Sequence, residues 1–362
     1  MTETKTTGRN AAVVPLAAAT FALLTAAYMV VHSWGFSPVD TKAEEYQVMR
    51  GIQEVQNHPK VLLVDSYHAG YPWSDAIVRG VNMALGGENV QIEVFRMDTK
   101  RRTDEAWKQQ AGIQANEIVA QWQPDVIIAS DDNAQRYFAS AYAGKDRPAV
   151  VFCGVNAEPN AYGYPASNVT GVLERPHFVE SLHMLGQLLP GATRIAIISD
   201  DSETSTGAIA YMTAPPSPWR IVSCERPHTF DEWQEAVKRA QDQADAIAVY
   251  MYHTVKRDGQ ELSMEPKEVM AWTVANSRIP LVGFFIFAVD DGALCGYLES
   301  GAEHGFKAGR IALEILHGRK PAEIPTVAAL EGYSMINTAT ARRLGITIPS
   351  SVLDTTQIIA GD

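Results

Sequence analysis

A chain of 362 residues is too long for one ordinary compact domain, and 46% hydrophobic content is ample for real cores. A formal net charge of -12 argues against a nucleic-acid partner held through phosphate contacts. It does not exclude a small acidic ligand, because one pocket cation suffices.

The first 36 residues differ from the rest. Lys5 and Arg9 precede an uncharged run of 21 residues, Ala11 to Val31. A basic start followed by an apolar stretch is the export pattern. The run is long for a cleaved signal and just enough to span a bilayer. Two readings stand, an uncleaved N-terminal membrane anchor and a cleaved signal peptide; a buried helix is the third. With the basic residues on the near side, the body is expected outside the cytoplasm. Residues 37–57 are polar and read as a linker.

An α/β rhythm then begins. Val61 to Val64 is a short apolar run, as expected for a buried parallel strand. The next stretch, Ser66 to Trp73, carries hydroxyls, a histidine, aromatics, Gly and Pro. It reads as a loop at the strand's carboxyl end, before a helix capped by Ser74 and running to about Leu85. Strands are expected at 90–95, 126–129 and 149–152, and helices at 104–122 and 131–142. An extended piece at 168–173 ends the first cycle. A second cycle places helices at 178–189, 202–212, 230–243 and 266–276. Its strands are expected at 194–199, 220–224, 246–250 and 281–285. The remainder breaks the repetition, with strands at 293–298 and 333–337 and helices at 302–316 and 338–344. A tail following two complete units packs most economically by crossing back, which joins the lobes by more than one strand and creates a hinge.

The fold class is therefore α/β: two Rossmann-like lobes with parallel sheets, a multi-strand hinge and an interlobe ligand cleft. The expected division is 58–173 for lobe 1, 174–289 for lobe 2, 290–350 shared between them, and 351–362 as a C-terminal tail.

Ligands of open α/β sheets bind at the carboxyl ends of the strands. That rule selects Ser66, Tyr67, His68, Tyr71, Trp73 and Ser74 after the first strand. The aromatics can wall a ligand with rigid amphipathic surface, or simply form a packed turn. Asp131, Asp132 and Asn133 follow the third strand, where one acid reads as an N-cap. Asn156 follows the fourth, as a ligand contact or an Asx turn. In the second lobe, Thr204, Ser205 and Thr206 lie in a hydroxyl-rich loop before a helix, suited to a carboxylate or phosphate. Tyr250, Tyr252 and His253 follow one strand, and Phe284, Phe285 and Phe287 another; these read equally as cleft wall or lobe-packing core.

Enzyme signatures are lacking: no HExxH, GxSxG or GxGxxG occurs, and none of the nine histidines forms a close metal pair. No cofactor and no metal are expected. Of the three cysteines, Cys153, Cys224 and Cys295, at most one pair can bridge, and buried free thiols compete with a Cys153–Cys295 bond.

Several strings are specific in combination: SYHAGYPWSDAIVRG at 66–80, MDTKR at 97–101, PDVIIASDDNAQRYF at 124–138, VVFCGVN at 150–156, NVTGV at 168–172 and ARRLGITIP at 341–349. Through them, residues 58–350 resemble the type I periplasmic-binding-protein superfamily. More closely, they resemble the ABC transporter substrate-binding proteins that include tryptophan- and tyrosine-binding members. The resemblance implies three interlobe crossings and capture of an amino-acid-like or other small organic ligand by lobe closure. It also implies delivery to an ABC permease by a body that is monomeric or weakly dimeric. By position it places Ser66, Asp131, Asn133 and Asn156 on the first-lobe wall, and Thr204, Ser205 and Thr206 in the second-lobe polar loop. SYHAGYPW is more aromatic than the short first loop of the transport members and resembles a subgroup that also occurs as extracellular sensors. A membrane-anchored sensing module is therefore the first alternative, and a hydrolase using a cleft Asp/Ser/His set the second.

Overall fold

Val61 to Val64 are wholly buried, as a strand covered on both faces requires. The computed structural model describes residues 58–359, so the expected signal or anchor at 11–31 lies outside the described residues. Among the described residues no helix is long and apolar enough to cross a membrane.

Two sheets organise the chain. The first contains β1 (Lys60–Asp65), β2 (Gln91–Arg96), β3 (Val126–Ser130), β4 (Ala149–Val155), β5 (Val169–Leu173) and β11 (Val327–Ala328). Its order is β11-β5-β4-β3-β1-β2, and every pairing is parallel. The second contains β6 (Arg194–Ile198), β7 (Arg220–Glu225), β8 (Ala246–Val249), β9 (Leu281–Val282), β10 (Cys295–Glu299), β12 (Gly332–Asn337) and β13 (Gln357–Ile359). Its order is β13-β12-β10-β9-β8-β6-β7, with β10 and β12 antiparallel. Two mostly parallel α/β lobes result.

In the first lobe, α1 (Pro72–Leu85), α2 (Glu105–Trp122) and α3 (Asp131–Tyr137) follow β1, β2 and β3. In the second, α4 (Phe178–Leu188), α5 (Glu203–Thr213), α6 (Phe230–Gln243), α7 (Pro266–Asn276) and α8 (Ile286–Asp290) alternate with the strands. Then come α9 (Gly301–Leu316), α10 (Thr338–Arg343) and α11 (Ser350–Leu353).

The chain crosses between the lobes three times. The first crossing leaves β5 and reaches α4 through Glu174 to His177. The second leaves β10 at Ser300 and enters α9, which packs on α1 and on β3, β4 and β5 of the first sheet. The third leaves β11 and enters β12 through 329–331. The crossing tail expected from the sequence is thus real, and three strands of chain form the hinge.

Several local expectations need correction. Pro72 occupies the first turn of α1, so the helix begins before Ser74, whose hydroxyl donates to Asp65 Oδ1 at 2.7 Å instead of capping. Neither Asp131 nor Asp132 is an N-cap; Ser130 holds that position in α3 and makes no side-chain cap bond. The strand expected at 281–285 stops at Val282, and α8 follows Phe285, because the aromatic run turns inward instead of continuing the ladder. All three cysteines are free. Cys153 and Cys295 are buried in different sheets, so they do not pair, and Cys224 is exposed.

Candidate functional site

The carboxyl ends of β1, β3, β4 and β5 face those of β6, β8, β9 and β10, and their side chains meet in a closed seam. Direct hydrogen bonds tie the lobes near its centre. Tyr67 and Thr204 hydroxyls lie 2.8 Å apart. The Tyr250 hydroxyl is 2.8 Å from Glu174 Oε1 and 3.1 Å from Asn156 Oδ1. At the rim, Lys108 Nζ donates to Glu203 Oε1 at 2.8 Å.

The aromatics after β1 pack against the second lobe. Tyr71 meets His253 edge-on with ring centroids 5.0 Å apart and Phe287 at 5.9 Å. Trp73 meets Phe285 edge-on at 5.3 Å, and its indole N–H donates to Asp131 Oδ1 at 2.9 Å. His68 stacks on Tyr71 at 5.8 Å near the seam's edge, with Nδ1 3.5 Å from Asp98. These rings cross the lobe boundary, so they are both cleft wall and interlobe packing.

Other sequence-selected residues hold loops in place. Ser66 Oγ donates to the Ser130 carbonyl at 2.6 Å and accepts from Ala134 N–H at 2.8 Å, which leaves its hydroxyl fully engaged. Asp132 accepts from Asn156 N–H, Ala157 N–H and the Tyr162 hydroxyl, shaping the loop after β4. Burial nevertheless pushes the Asp132 carboxyl up to about 6. Asp131, at φ 66°, is buried between Trp73 and Ser130. Desolvation, then Glu174 and Asp65, raise its carboxyl well above the ordinary range. Ser205 donates to Asp200 Oδ1 at 2.7 Å, and Thr206 donates to the Ser202 carbonyl at 3.0 Å. Tyr252 turns toward Asp291, 2.7 Å away, and Phe284 packs against Phe178 and Tyr250 inside the second lobe; neither contributes polar capacity to the seam.

The groups with spare capacity are a different set. At the seam, His68 Nδ1, Lys100 Nζ, Asn133 Oδ1, Asn156 Nδ2, Glu174 Oε2 and His253 Nδ1 are buried and have no hydrogen-bond partner; Thr103, His177, Glu299, Glu303 and His304 carry such atoms as well. Buried polar atoms are almost always paired, so a cluster of exceptions at one seam points to function. Of these seam residues the strand-end rule selects His68, Asn133, Asn156 and His253. Lys100 and Glu174 are missed, although both were legible in kind: Lys100 stands in the 97–101 string and Glu174 directly follows β5.

Charge within the seam is held in check by burial. Desolvation pushes Glu174 up to about 8, against the pull of Tyr250, Asn156 and Lys100. A protonated Glu174 can donate to the Tyr250 oxygen, which frees the single phenol proton for Asn156 Oδ1 and satisfies both contacts. Burial, then Lys100, push His253 down to about 3, so it is neutral. Burial works to raise Asp200, but Lys100, Ser205 and Ser202 outweigh it and hold its carboxyl low.

Two cavities flank the seam. One of about 680 Å³ is lined by Asn156, Tyr162 and Arg136 from the first lobe and by Thr206, Gly207 and Tyr211 from the second. The other, about 90 Å³, lies beside Lys100 and Asn133 at the opposite end of α5's first turn. Of the residues selected from sequence, Asn156 and Thr206 line the larger cavity and Asn133 the smaller. Among the described residues no cluster of three or more His, Cys, Asp or Glu could hold a metal ion.

A family model described as ABC transporter substrate binding protein matches residues 70–359. None of the curated proteins compared matches the chain. Several solved structures share the fold. A Streptococcus pneumonia ABC domain in complex with L-Trp aligns with TM-score 0.65 and 20% identity, over 84% of this chain and 100% of that one. A conserved domain protein from Vibrio cholerae aligns with TM-score 0.66 and 19% identity, over 83% and 99%. The ligand-free, open form of a Clostridium difficile substrate binding protein with adhesive properties aligns with TM-score 0.61 and 18% identity, over 84% and 100%.

Proposed function

The chain belongs to the ABC transporter substrate binding protein family, and from that premise we propose that its interlobe seam captures one small, amino-acid-like organic molecule. As a member it is an extracytoplasmic solute-binding protein that partners an ABC permease. In the proposed cycle the lobes open about the three-strand hinge, the ligand enters the seam, and closure buries it. Asn156 is the proposed contact in the larger cavity, with Lys100, Glu174 and His253 reaching the ligand from the seam.

One observation carries the reading: unpartnered buried polar atoms from both lobes converge where the sheets' carboxyl ends meet. A bound molecule would complete their hydrogen bonds. The L-Trp bound to the Streptococcus pneumonia protein supports placing tryptophan first in a ligand screen.

Native mass spectrometry of freshly purified protein is the test. The expected result is a co-purified molecule of a few hundred daltons or less, whose removal lowers the melting temperature and whose return restores it saturably. If amino acids, nucleosides, sugars and small carboxylates all leave the melting temperature of stripped protein unchanged, the proposal fails.

A further inference from the structure

The smaller cavity has a chemistry of its own. Lys100, on the loop after β2, is 2% exposed, lines this cavity, and offers three N–H donors that no acceptor meets. Its nearest recorded partner is the ring face of Tyr67, 4.8 Å from Nζ. A cation over a ring face is attracted, but the ring accepts no conventional hydrogen bond. No carboxylate of the described residues forms an ion pair with Lys100. Asp200 acts on it electrostatically, yet its oxygens are occupied by the Ser202 and Ser205 hydroxyls and the Thr254 N–H.

The charged side chains lining the cavity leave an excess of one cation: Lys100, Lys108 and Lys256 against Asp201 and Glu203, with His228 beside them. Both acids are engaged, Glu203 by Lys108 at 2.8 Å and Asp201 by Arg226 at 3.0 Å. Ser202, the cap of α5, also lines the cavity, so the positive end of that helix dipole adds to the field. Asn133 supplies the complementary feature. Its Nδ2 donates to Thr99 Oγ1 at 2.9 Å, and Thr99 spends its own proton on the Ser66 carbonyl. The amide is therefore fixed with Oδ1 as an unpartnered acceptor.

We propose that this 90 Å³ interlobe cavity is a subsite for a small oxyanion, the carboxylate or phosphate group of the captured ligand, held by Lys100 with Lys256 and oriented by a neighbouring hydroxyl or amino donor that reaches Asn133 Oδ1. It rests on the receptor reading and specifies the charge that the receptor selects. The cavity draws on both lobes, so an oxyanion there binds the closed form in preference to the open one and favours closure.

The test uses the full chain and small probes: inorganic phosphate, sulfate, glycolate, acetate and the neutral glycolamide, each up to about 50 mM at constant ionic strength set with chloride. The expected result is a saturable rise in melting temperature with glycolate or phosphate, smaller with acetate or sulfate, and none with glycolamide. Phosphate against glycolate identifies which oxyanion the site prefers. Lys100→Arg keeps the response, and Lys100→Met weakens apparent binding at least tenfold, each variant being read against its own probe-free melting temperature because Lys100 also acts on the buried Asp200 carboxylate. If Lys100→Met does not fold, Lys256→Met is read in its place, with a several-fold weakening expected. Equal responses from glycolate and glycolamide, no response to any oxyanion, or an unchanged response in the methionine variant overturns the proposal. The two readings fail separately. A co-purified ligand without an anionic group removes the oxyanion subsite and leaves the receptor. Oxyanion binding through Lys100 without capture of any organic molecule does the reverse.

Discussion

Glu174 stands where the first crossing leaves β5, and its behaviour should be visible in the pH dependence of stability. Its carboxyl lies near 8 in the fold, against an ordinary glutamate value in the unfolded chain. The contribution is fully present below about 4.5 and is lost as pH rises through about 8. Asp65, Asp131 and Glu299 are raised too, first by burial, and act in the same direction. His253 and His304 are pushed down to about 3, so theirs is present above about 6.5 and lost as pH falls. The raised acids go on losing their contribution above about 6.5, while the histidines and the lowered carboxylates of Asp200, Glu203 and Asp245 lose theirs as pH falls, so stability should decline on both sides of a maximum in the mildly acidic range. In a melting series from pH 5 to pH 9, Glu174→Gln should flatten the alkaline fall without abolishing it; a slope identical to wild type would contradict this. A second residue matters differently. The Tyr67–Thr204 bond exists only when the lobes are closed, and a net hydrogen bond contributes about 1 kcal/mol. Tyr67→Phe should therefore weaken affinity for the co-purified ligand roughly fivefold, read by calorimetry, with little change in the melting temperature of stripped protein.

At the scale of elements, the α1–α9 contact locks the second crossing to the first lobe. A Cβ on Gly80 would sit 2.1 Å from the Ala302 carbonyl oxygen, and one on Gly305 2.0 Å from that of Ile77. The two helices approach backbone to backbone, and no rotamer change can relieve an added methyl. Gly80→Ala should destabilise by about 1–3 kcal/mol, seen as a fall of several degrees in melting temperature. An unchanged value would mean that the helices separate without cost. Elements with strong local signals were legible. The sequence places α6 and α7 at their observed bounds, because Thr229 and Glu232 form a capping box and Pro266 opens α7. Aromatic runs were not: 281–285 reads as a strand, and only packing against Trp73 and Tyr250 cuts it to a two-residue strand followed by a short helix.

For the whole molecule, the seam and three crossings describe a closed form, and opening should be measurable. Protein stripped of ligand by unfolding and refolding should show a larger radius of gyration by small-angle scattering than protein as purified, with re-addition reversing it. Equal radii in both states would sever binding from closure. Sequence alone determined the α/β class, the alternation of elements, the crossing tail and the loops that face the seam, because hydrophobic period, caps and turn residues act over a few neighbours. Tertiary structure decided which residues of those loops keep unspent hydrogen bonds. Ser66, Asp132 and Ser205 are polar and engaged by partners within the protein, whereas Lys100 and Glu174 each keep a buried polar atom without one. That difference depends on partners from distant parts of the chain, often from the other lobe, and no local pattern records it.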